Sequence, residues 1–349
     1  MRRPTWTSLL LLTLSLLIAA CGPQPAAPIA APLSTFAPTS TPAISPTVSA
    51  STAASSEPQI AGCPLLPADN IWNARVDSLP TDPHSDAYIQ AIGTDTGLHP
   101  DFGSGTWDGA PIGIPFNLVD SSQSKVKVTF DYDDESDPGP YPIPAHVSIE
   151  GGPDSDGDRH VLIVDTEHCI LYELYDAWPQ PDGSWQAGSG AIYDLRSNVL
   201  RPNGWTSADA AGLPILPGLV RYDEVAFGII KHAIRFTAPQ TQSAHVWPAR
   251  HDASELTGTT YPPMGQRFRL KADFDFTRFA PQTQVILRAM QTYGIILADN
   301  GLAWYISGVP DERWDNDILH ELSQVTGTDF EAVDVSSLMV DPDSGQARP

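Results

Sequence analysis

The stretch RHVLIVDTEHCILYELY, residues 159–175, decides the fold class of this chain. It contains two runs, 159–165 and 169–175, dominated by the β-branched, aromatic and other apolar residues that are typical of strands. Only a few polar residues separate the two runs, so the pattern predicts an antiparallel hairpin in the middle of the chain.

Further strands are expected on both sides of this hairpin. They are predicted at 126–132, at 185–195 with a bulge near Gly188 and Gly190, at 231–237 paired with 244–249, and at 266–276. The last segment alternates most regularly, with Phe268 and Leu270 on one face and Arg267 and Arg269 on the other. Such alternation predicts a half-buried strand with one solvated face.

Helices are expected to be fewer than strands. Segment 281–293 begins with Pro281 and stops before Gly294, and segment 314–324 has Asp315 or Asn316 near its start. A single turn is expected at 207–211. The dominance of strands predicts a mainly-β fold: a β-sandwich or jelly-roll-like core with long loops and two or three peripheral helices. A layered α+β fold is the alternative.

The N-terminal residues predict export. Arg2 and Arg3 precede an apolar run at 9–20, which leads into the sequence LIAAC, residues 17–21. This ending resembles the bacterial lipobox, so residues 1–20 are predicted to be a lipoprotein signal peptide cleaved before a lipidated Cys21. An ordinary signal peptide is the alternative. A lipidated cysteine implies an extracytoplasmic protein, anchored to the cell membrane through its acyl chains alone.

A low-complexity segment follows the predicted signal. Residues 21–61 are dominated by Pro, Ala, Ser and Thr and show no apolar periodicity, so they are expected to form a disordered tether. No second break of this kind and no internal repeat occurs in the sequence. Residues 62–340 are therefore predicted to form a single globular domain, and 341–349 a flexible tail.

The three cysteines of the chain predict one disulfide. With Cys21 lipidated, Cys63 and Cys169 remain, and two cysteines in an exported domain most often pair. The bridge would close a loop of about 100 residues and stabilise the fold by about 4–5 kcal/mol in the chain-entropy description.

The charge of the chain is strongly negative. The full sequence carries −23, and loss of Arg2 and Arg3 with the signal would bring it to −25. Such a field repels nucleic acid and anionic polysaccharide, so no nucleic-acid partner is expected. It favours neutral glycans, cationic ligands or calcium, and it also simply keeps a protein soluble.

Several phrases of the sequence resemble a group of exported bacterial proteins that has no assigned activity. They are PADNIWN (67–73), IEGGPDSDGDRHVL (149–162), WTSADAAGLPILPGLVRYDEV (205–225), HVWPARH (245–251) and YGIILADNGLAWYISG (293–308). The resemblance covers nearly all of the mature domain. It implies a shared fold and an extracellular setting, and it carries over no catalytic residue.

The predicted strand pair at 231–237 and 244–249 supplies the first candidate site. By alternation, Arg235, His245 and Trp247 could line the concave side of a sandwich, with Arg250 and His251 starting the next loop. A guanidinium, an imidazole and a flat aromatic ring suit sugar recognition, and a histidine can also transfer protons as a catalytic residue. A solvated sheet face is the alternative.

A group of acidic residues near residue 150 is the second candidate site. Glu150 is a candidate catalytic carboxylate, and Asp154, Asp156 and Asp158 place carboxylates at every second position, as calcium loops do. The loop lacks the glycine and the glutamate of an EF-hand. The pattern therefore predicts at most a looser Ca²⁺ site, and a solvated acidic turn is the alternative.

The long loop at 205–224 is the third candidate site. Its carboxylates Asp209, Asp223 and Glu224 could serve as acid and base in glycoside hydrolysis, while salt bridges to Arg201 or Arg221 are the alternative. Trp205 is a candidate for stacking on a sugar ring.

Asp299 is a separate candidate for contacting substrate. The Asn-Gly that follows it is mainly a turn signal, and a simple turn is the alternative.

The familiar signatures of other enzyme classes are absent from the sequence, among them G-x-S-x-G, H-E-x-x-H and the Walker loop. The leading functional hypothesis is a surface-anchored glycoside hydrolase acting on a neutral polysaccharide. A non-catalytic lipoprotein that binds carbohydrate or another cell-surface partner is the first alternative. A polysaccharide lyase, which would neutralise a uronate with arginine, is the second.

Overall fold

The hairpin predicted from residues 159–175 is present in the structure, a computed structural model that describes residues 58–349. The strands are β1 (Gln59–Ile60), β2 (Cys63–Pro64), β3 (His99–Asp101), β4 (Thr106–Trp107), β5 (Ala110–Pro111), β6 (Phe116–Val119), β7 (Val128–Phe130), β8 (Val161–Asp165), β9 (Ile170–Tyr175), β10 (Trp178–Pro179), β11 (Trp185–Ala187), β12 (Ser189–Asp194), β13 (Ile234–Ala238), β14 (Arg267–Leu270), β15 (Ile295–Asn300), β16 (Tyr305–Ser307) and β17 (Phe330–Val333). The helices are α1 (Ser85–Ile92), α2 (Tyr222–Phe227), α3 (Pro281–Thr292) and α4 (Asn316–Leu319).

The hairpin of β8 and β9 forms the centre of a four-stranded sheet with the order β12-β9-β8-β6. Leu162 and Val164 of β8 pack into the larger hydrophobic core, whereas Val161 and Ile163 pack into a second, smaller core on the opposite face. Because both faces of the strand are covered, an unbroken apolar run is needed rather than an alternating one. This explains why the run at 159–165 is so strong a signal in the sequence.

A larger sheet has the order β17-β14-β15-β13-β16-β3. The mainly-β prediction is confirmed. The finer prediction of a sandwich or jelly roll is not confirmed, because both of the larger sheets mix parallel and antiparallel neighbours. The parallel pairs join strands that are distant in sequence, and local alternation carries no information about such pairing.

The strand predicted at 266–276 is shorter and more buried than expected. Only β14 is a strand, and the prediction of a solvated face is wrong because Arg267 and Arg269 are both buried. Arg267 donates to the carbonyl oxygen of Ile71 at 2.7 Å, and Arg269 donates to Glu331 at 2.9 Å. Buried guanidinium groups are tolerated where backbone oxygens and a carboxylate satisfy them, and the sequence pattern cannot foresee those partners.

The predicted pair of strands at 231–237 and 244–249 is also wrong. β13 exists, but its neighbours are β15 and β16. Residues 244–249 form no strand, and only an isolated bridge joins His245 to Met264. A short alternating segment that contains Pro248 reads like a strand by periodicity, although it has no neighbouring strand with which to pair.

Other predicted elements are present with adjusted limits. The segment 185–195 is divided at Gly188 into β11 and β12, which belong to different sheets, and the strand at 126–132 is reduced to β7. Helix α3 lies where Pro281 and Gly294 predict it. The predicted helix at 314–324 consists of α4, capped by the side chain of Asp315, and a 3-10 turn at His320–Gln324.

The predicted disulfide is confirmed. Cys63 and Cys169 are bonded, with their Cα atoms 5.3 Å apart, and the bridge joins β2 to the residue before β9. It therefore fixes the N-terminal edge of the described chain to the central hairpin.

The C-terminal segment 341–349 is not the flexible tail that the sequence predicts. Gln346 forms a bridge with Asn70, Ser344 forms one with Val199, and Ala347 is buried. These contacts lie in loops distant in sequence, so no local pattern announces them. The described residues belong to one compact unit.

The predicted signal peptide, Cys21 and almost all of the predicted tether lie outside the described residues. Within residues 58–349, no helix combines the length and the apolar character needed to span a bilayer.

Candidate functional site

A cavity of about 410 Å³ opens near the C-terminal end of β15, and we call it the acidic pocket. It is lined by Tyr132, Glu135, Asp158, Tyr175, Ser189, Thr206, Ser207, Ala208, Asp209, Ala210, His251, Ala253, Asp299 and Asn300. Four of these side chains are carboxylic acids. Two of the four, Asp209 and Asp299, meet at a single buried arginine.

That arginine is Arg235, which lies on β13 and is only 4% exposed. Its Nε and Nη2 donate to the two carboxylate oxygens of Asp209, both at 2.7 Å. Nη2 also lies 3.3 Å from Asp299, and Nη1 donates to the Ser307 hydroxyl at 2.6 Å. Because β13 lies between β15 and β16 in the sheet, one guanidinium can reach residues from both neighbours. Planar two-point pairing of this kind fixes the orientation of the Asp209 carboxylate.

The surroundings of Arg235 favour its charged form. Burial lowers the pKa of Arg235, but the charge of Asp209, its hydrogen bonds and the charge of Asp299 outweigh burial and raise the pKa overall. One guanidinium charge therefore faces two carboxyl groups. They can ionise together only at a high electrostatic cost, so one of the two is expected to keep its proton.

The proton-holding member is Asp299. Burial and the neighbouring charge of Asp209 raise its pKa well above the usual range, a hydrogen bond with Asp209 raises it further, and Arg235 offsets only part of the rise. The side chain of Asp299 is 22% exposed, whereas that of Asp209 is 0% exposed. Asp299 is thus a carboxylic acid that a ligand in the pocket can reach, and Asp209 is its buried partner.

A second ion pair lies beside the first. Nδ1 of His160 is 2.5 Å from Oε2 of Glu150, and Nε2 of His160 is 3.0 Å from the carbonyl oxygen of Ala208. Burial lowers the pKa of His160, but the charge of Glu150 and its hydrogen bond outweigh burial and raise the pKa to about 9. In the opposite sense, burial raises the pKa of Glu150, and His160 lowers it overall. The predicted catalytic candidate Glu150 is therefore a partner of His160.

The structure brings together only part of the residue set predicted from sequence. Asp158, Asp209, His251 and Asp299 line the acidic pocket, and Arg235 holds two of them. Nδ1 of His251 is 2.8 Å from the carbonyl oxygen of Ala210. Residues from five separate segments of the chain meet in this way, and sequence spacing alone could not have grouped them.

The carboxylates Asp223 and Glu224 lie elsewhere. Both are on α2 and line a different groove, of about 1000 Å³, which we call the α2 groove. Asp223 has an 81% exposed side chain and pairs with Arg313 at 2.9 Å. Glu224 pairs with Arg221 at 2.5 Å and lies 3.2 Å from Nε2 of His232. Glu224 therefore forms the predicted salt bridge with Arg221, whereas Asp223 pairs with Arg313. Neither residue lines the acidic pocket with Asp209.

The predicted group of Arg235, His245 and Trp247 does not form, because its second strand is absent. His245 lies 3.1 Å from Asp252 and 3.0 Å from Asn203, and Trp247 donates to the carbonyl oxygen of Ser344 at 2.8 Å.

Two further candidates also have structural partners. Arg250 donates to the carbonyl oxygen of Arg201 at 2.7 Å and to Asp343 at 2.6 Å. The ring of Trp205 faces the guanidinium of Arg201, 5.5 Å from its centroid. Both side chains lie outside the lining of the acidic pocket.

The loop with the calcium-like spacing is organised around a cation of its own. Nη1 of Arg159 donates to the carbonyl oxygens of Pro153 at 2.9 Å and Ser155 at 3.0 Å, and the guanidinium stacks on Trp178 at 3.5 Å. Backbone oxygens that a calcium ion would use are thus directed at Arg159. Within residues 58–349, no group of three or more His, Cys, Asp or Glu side chains is arranged to hold a metal ion. The prediction of Ca²⁺ at Asp154, Asp156 and Asp158 gains no support.

Sequence reasoning missed several members of the pocket. Tyr175 belongs to the hairpin strand β9, where its strand character hid its position at the pocket wall. Tyr132 and Glu135 belong to the acidic segment DYDDESD, residues 131–137, which is typical of a solvated turn. Ser307, at the end of β16, does not line the pocket but accepts a hydrogen bond from Arg235, and no sequence pattern indicates this contact.

Comparison with known proteins adds no relative. No protein-family model, no curated protein and no solved structure matches this chain. A functional assignment therefore depends on the chemistry of the acidic pocket.

Proposed function

We propose that this protein is a hydrolase acting on a neutral glycan, with Asp299 as the general acid. The observation that carries the proposal is the pairing of Asp209 and Asp299 on the single cation Arg235. It leaves one carboxyl group protonated, partly exposed and facing a cavity. A carboxylic acid whose pKa is raised by its surroundings can protonate a leaving-group oxygen near neutral pH.

Glycoside hydrolysis needs a second carboxylate across the scissile bond. The two groups are about 5–5.5 Å apart in retaining enzymes and about 6.5–9.5 Å apart in inverting ones. Asp209 has a completely buried side chain that is paired with Arg235 at two points, so it is not available for this role. We assign the role of base or nucleophile to Glu135 or Asp158, which line the same pocket. Glu135 is held by the amide N–H of Thr206 at 3.0 Å.

The lining of the pocket favours an uncharged, hydroxyl-rich substrate. The carboxylates of Glu135 and Asp158 repel anions and can accept hydrogen bonds from sugar hydroxyls. Tyr132, which is 54% exposed, and Tyr175 offer aromatic faces for a sugar ring. The volume of about 410 Å³ lies within the range of small-ligand sites.

The same chemistry weighs against a lyase. A lyase would need an arginine free to neutralise a uronate, and Arg235 is already engaged by Asp209 and Ser307. Non-catalytic carbohydrate binding stays as the alternative to hydrolysis. The lipid anchor at Cys21 and the extracytoplasmic location are part of the proposal, with a polysaccharide or cell-surface glycan as the partner.

Reducing-end release from a panel of neutral polysaccharides tests the proposal. We expect the wild-type protein to release sugar from at least one of them. Asp299→Asn should lower kcat by about 10²–10⁴-fold, the usual contribution of a positioned acid. Asp223→Asn, on the exposed surface of α2, is the matched control and should keep wild-type activity.

Two outcomes would overturn the proposal: a folded wild-type protein that turns over no member of the panel, or full activity in Asp299→Asn. Saturable binding of a neutral glycan without turnover would instead identify the non-catalytic alternative.

A further inference from the structure

His160, which is distant in sequence, contacts the backbone of the turn that carries Asp209. The imidazole is almost completely buried, and its Nε2 lies 3.0 Å from the carbonyl oxygen of Ala208, the residue before Asp209. Its Nδ1 lies 2.5 Å from Glu150. A histidine with both nitrogens protonated donates one hydrogen bond to each partner, so the charged form fits both contacts together.

Other hydrogen bonds also hold this turn, and two of them involve serine hydroxyls. The hydroxyl of Ser189 donates to the carbonyl oxygen of Ser207 at 2.6 Å, and the amide N–H of Asp209 donates to the Ser207 hydroxyl at 2.9 Å. Arg235 pairs with the carboxylate of Asp209, whereas the charged His160 contacts the backbone of the turn at Ala208. Hydrogen bonds with an ionised donor are roughly twice as strong as neutral ones.

We propose that His160, held by Glu150, is a positioning residue that fixes the Asp209 turn and thereby sets the geometry of the Asp209–Asp299 pair. Its catalytic meaning rests on the proposed function, but its effect on the two carboxyl groups does not. The charged groups that act on His160 are Glu150, Arg235 and Asp158. The ring of Tyr175 is its aromatic neighbour, with centroids 5.9 Å apart.

The charge of His160 also affects the pKa of Asp299. Its positive charge lowers the pKa of Asp299, against the larger effects of burial and of Asp209 that raise it. Removal of the imidazolium should therefore raise the Asp299 pKa further. A residue that only filled space would leave the titration of Asp299 unchanged.

Carbon-13 NMR of the aspartate carboxyl groups, with Asp299→Asn used to assign the signal, measures this titration without any substrate. In His160→Gln we expect the midpoint of Asp299 to rise by about half a pH unit or more, as for the loss of one nearby cation. The control is His168→Gln. His168 forms a comparable pair with Asp165 at 2.9 Å, but it lies in the exposed turn between β8 and β9. It should leave the midpoint unchanged.

Glu150→Gln covers the case in which His160→Gln fails to fold. It removes the anion that keeps His160 charged, so the pKa of the imidazole should fall, because burial and Arg235 both lower it. The amide signal of Asp209 should then shift at the same pH, because the bond to Ala208 changes with the charge. An Asp209 amide that ignores the titration of His160, or an unchanged Asp299 midpoint in folded His160→Gln, would overturn the proposal.

Turnover, where a substrate is found, adds a second readout. His160→Gln should lower kcat about 10-fold or more with KM nearly unchanged, since it misplaces the reacting groups and not the glycan contacts. Failure of the glycan panel would refute the proposed function and leave the NMR result intact. Failure of the NMR titration would refute the positioning role and leave hydrolysis standing.

Discussion

The acidic pocket and the α2 groove use the same residue types to opposite effect. In the α2 groove, Arg221 faces one carboxylate, Glu224, and the charges balance. In the acidic pocket, Arg235 faces two carboxyl groups, Asp209 and Asp299, so one is in surplus. The balanced pair is a structural ion pair, whereas the surplus carboxyl keeps its proton. Charge count around a buried arginine, and not the mere presence of carboxylates, separates a candidate acid from a salt bridge.

The largest effect is expected from removal of the pocket cation. Arg235→Met leaves Asp209 buried without its partner and should destabilise the protein by about 3–5 kcal/mol, measured by urea unfolding at neutral pH. Arg221→Met should cost less, because Glu224 retains His232. The double variant Arg235→Met with Asp209→Asn should recover part of the loss. Wild-type stability in Arg235→Met would show that the two regions do not differ in this way.

The next effect concerns Glu173, which lies on β9. It is fully buried and accepts amide N–H groups from Ile215 and Leu216 at 2.9–3.0 Å. Burial raises its pKa to about 7, despite those hydrogen bonds. A raised folded-state pKa gives stability that is present below the unfolded value of 4.5 and is lost as the pH rises through about 7.

Glu173→Gln should therefore remove a pH-dependent loss on the order of 2–3 kcal/mol between the acidic and the neutral end of that window. Free energies of unfolding at a series of pH values measure the loss. The same slope in wild type and variant would show that Glu173 does not titrate there.

A smaller effect is the pH dependence of the unfolding free energy, which should have opposite signs in the two regions. The pKa of Asp299 is raised, mainly by burial, so its stabilisation is present at acidic pH and is lost as the pH rises above 3.8 towards the folded value. Burial raises the pKa of Glu224, but Arg221 and His232 outweigh burial and lower it, so its stabilisation is present above 4.5 and is lost as the pH falls. Relative to wild type, Asp299→Asn and Glu224→Gln should show opposite pH slopes in unfolding free energy. Slopes of the same sign would refute the comparison.

The smallest effect is expected at the surface of α2. Asp223 and Arg313 form an exposed pair, and such pairs contribute little to stability. Asp223→Asn should leave the thermal midpoint unchanged within error, and added salt should not separate the variant from wild type. A clear loss would mean that the α2 groove depends on this surface charge.

Much of the fold could be predicted from sequence because its signals are local. The hairpin of β8 and β9 follows from two apolar runs, and α3 follows from Pro281 and Gly294. The bond between Cys63 and Cys169 was predicted by assigning Cys21 to lipid attachment, which left two cysteines to pair, and the bond is present. The mainly-β class follows from the number of such runs.

The candidate site was predicted only in fragments. Asp209, Asp299 and Arg235 each stood out as a candidate, but in three separate groups and with partners that the structure does not provide. Arg235 was grouped with His245 by a hairpin that does not form, and Asp209 was grouped with Glu224 by nearness in sequence. The error has one cause: the partners of β13 are β15 and β16, and that pairing is not written in the local pattern.

The sequence by itself determined the central hairpin of β8 and β9 and the limits of α3, because hydrophobic periodicity and the φ preferences of proline and glycine act within a few residues. Tertiary structure alone decided which carboxyl groups share Arg235, because that depends on strand order and on burial. Burial also raises the pKa of Asp299, since the pKa of a carboxyl group depends on the charges and the solvent around it and not on its neighbours in the chain.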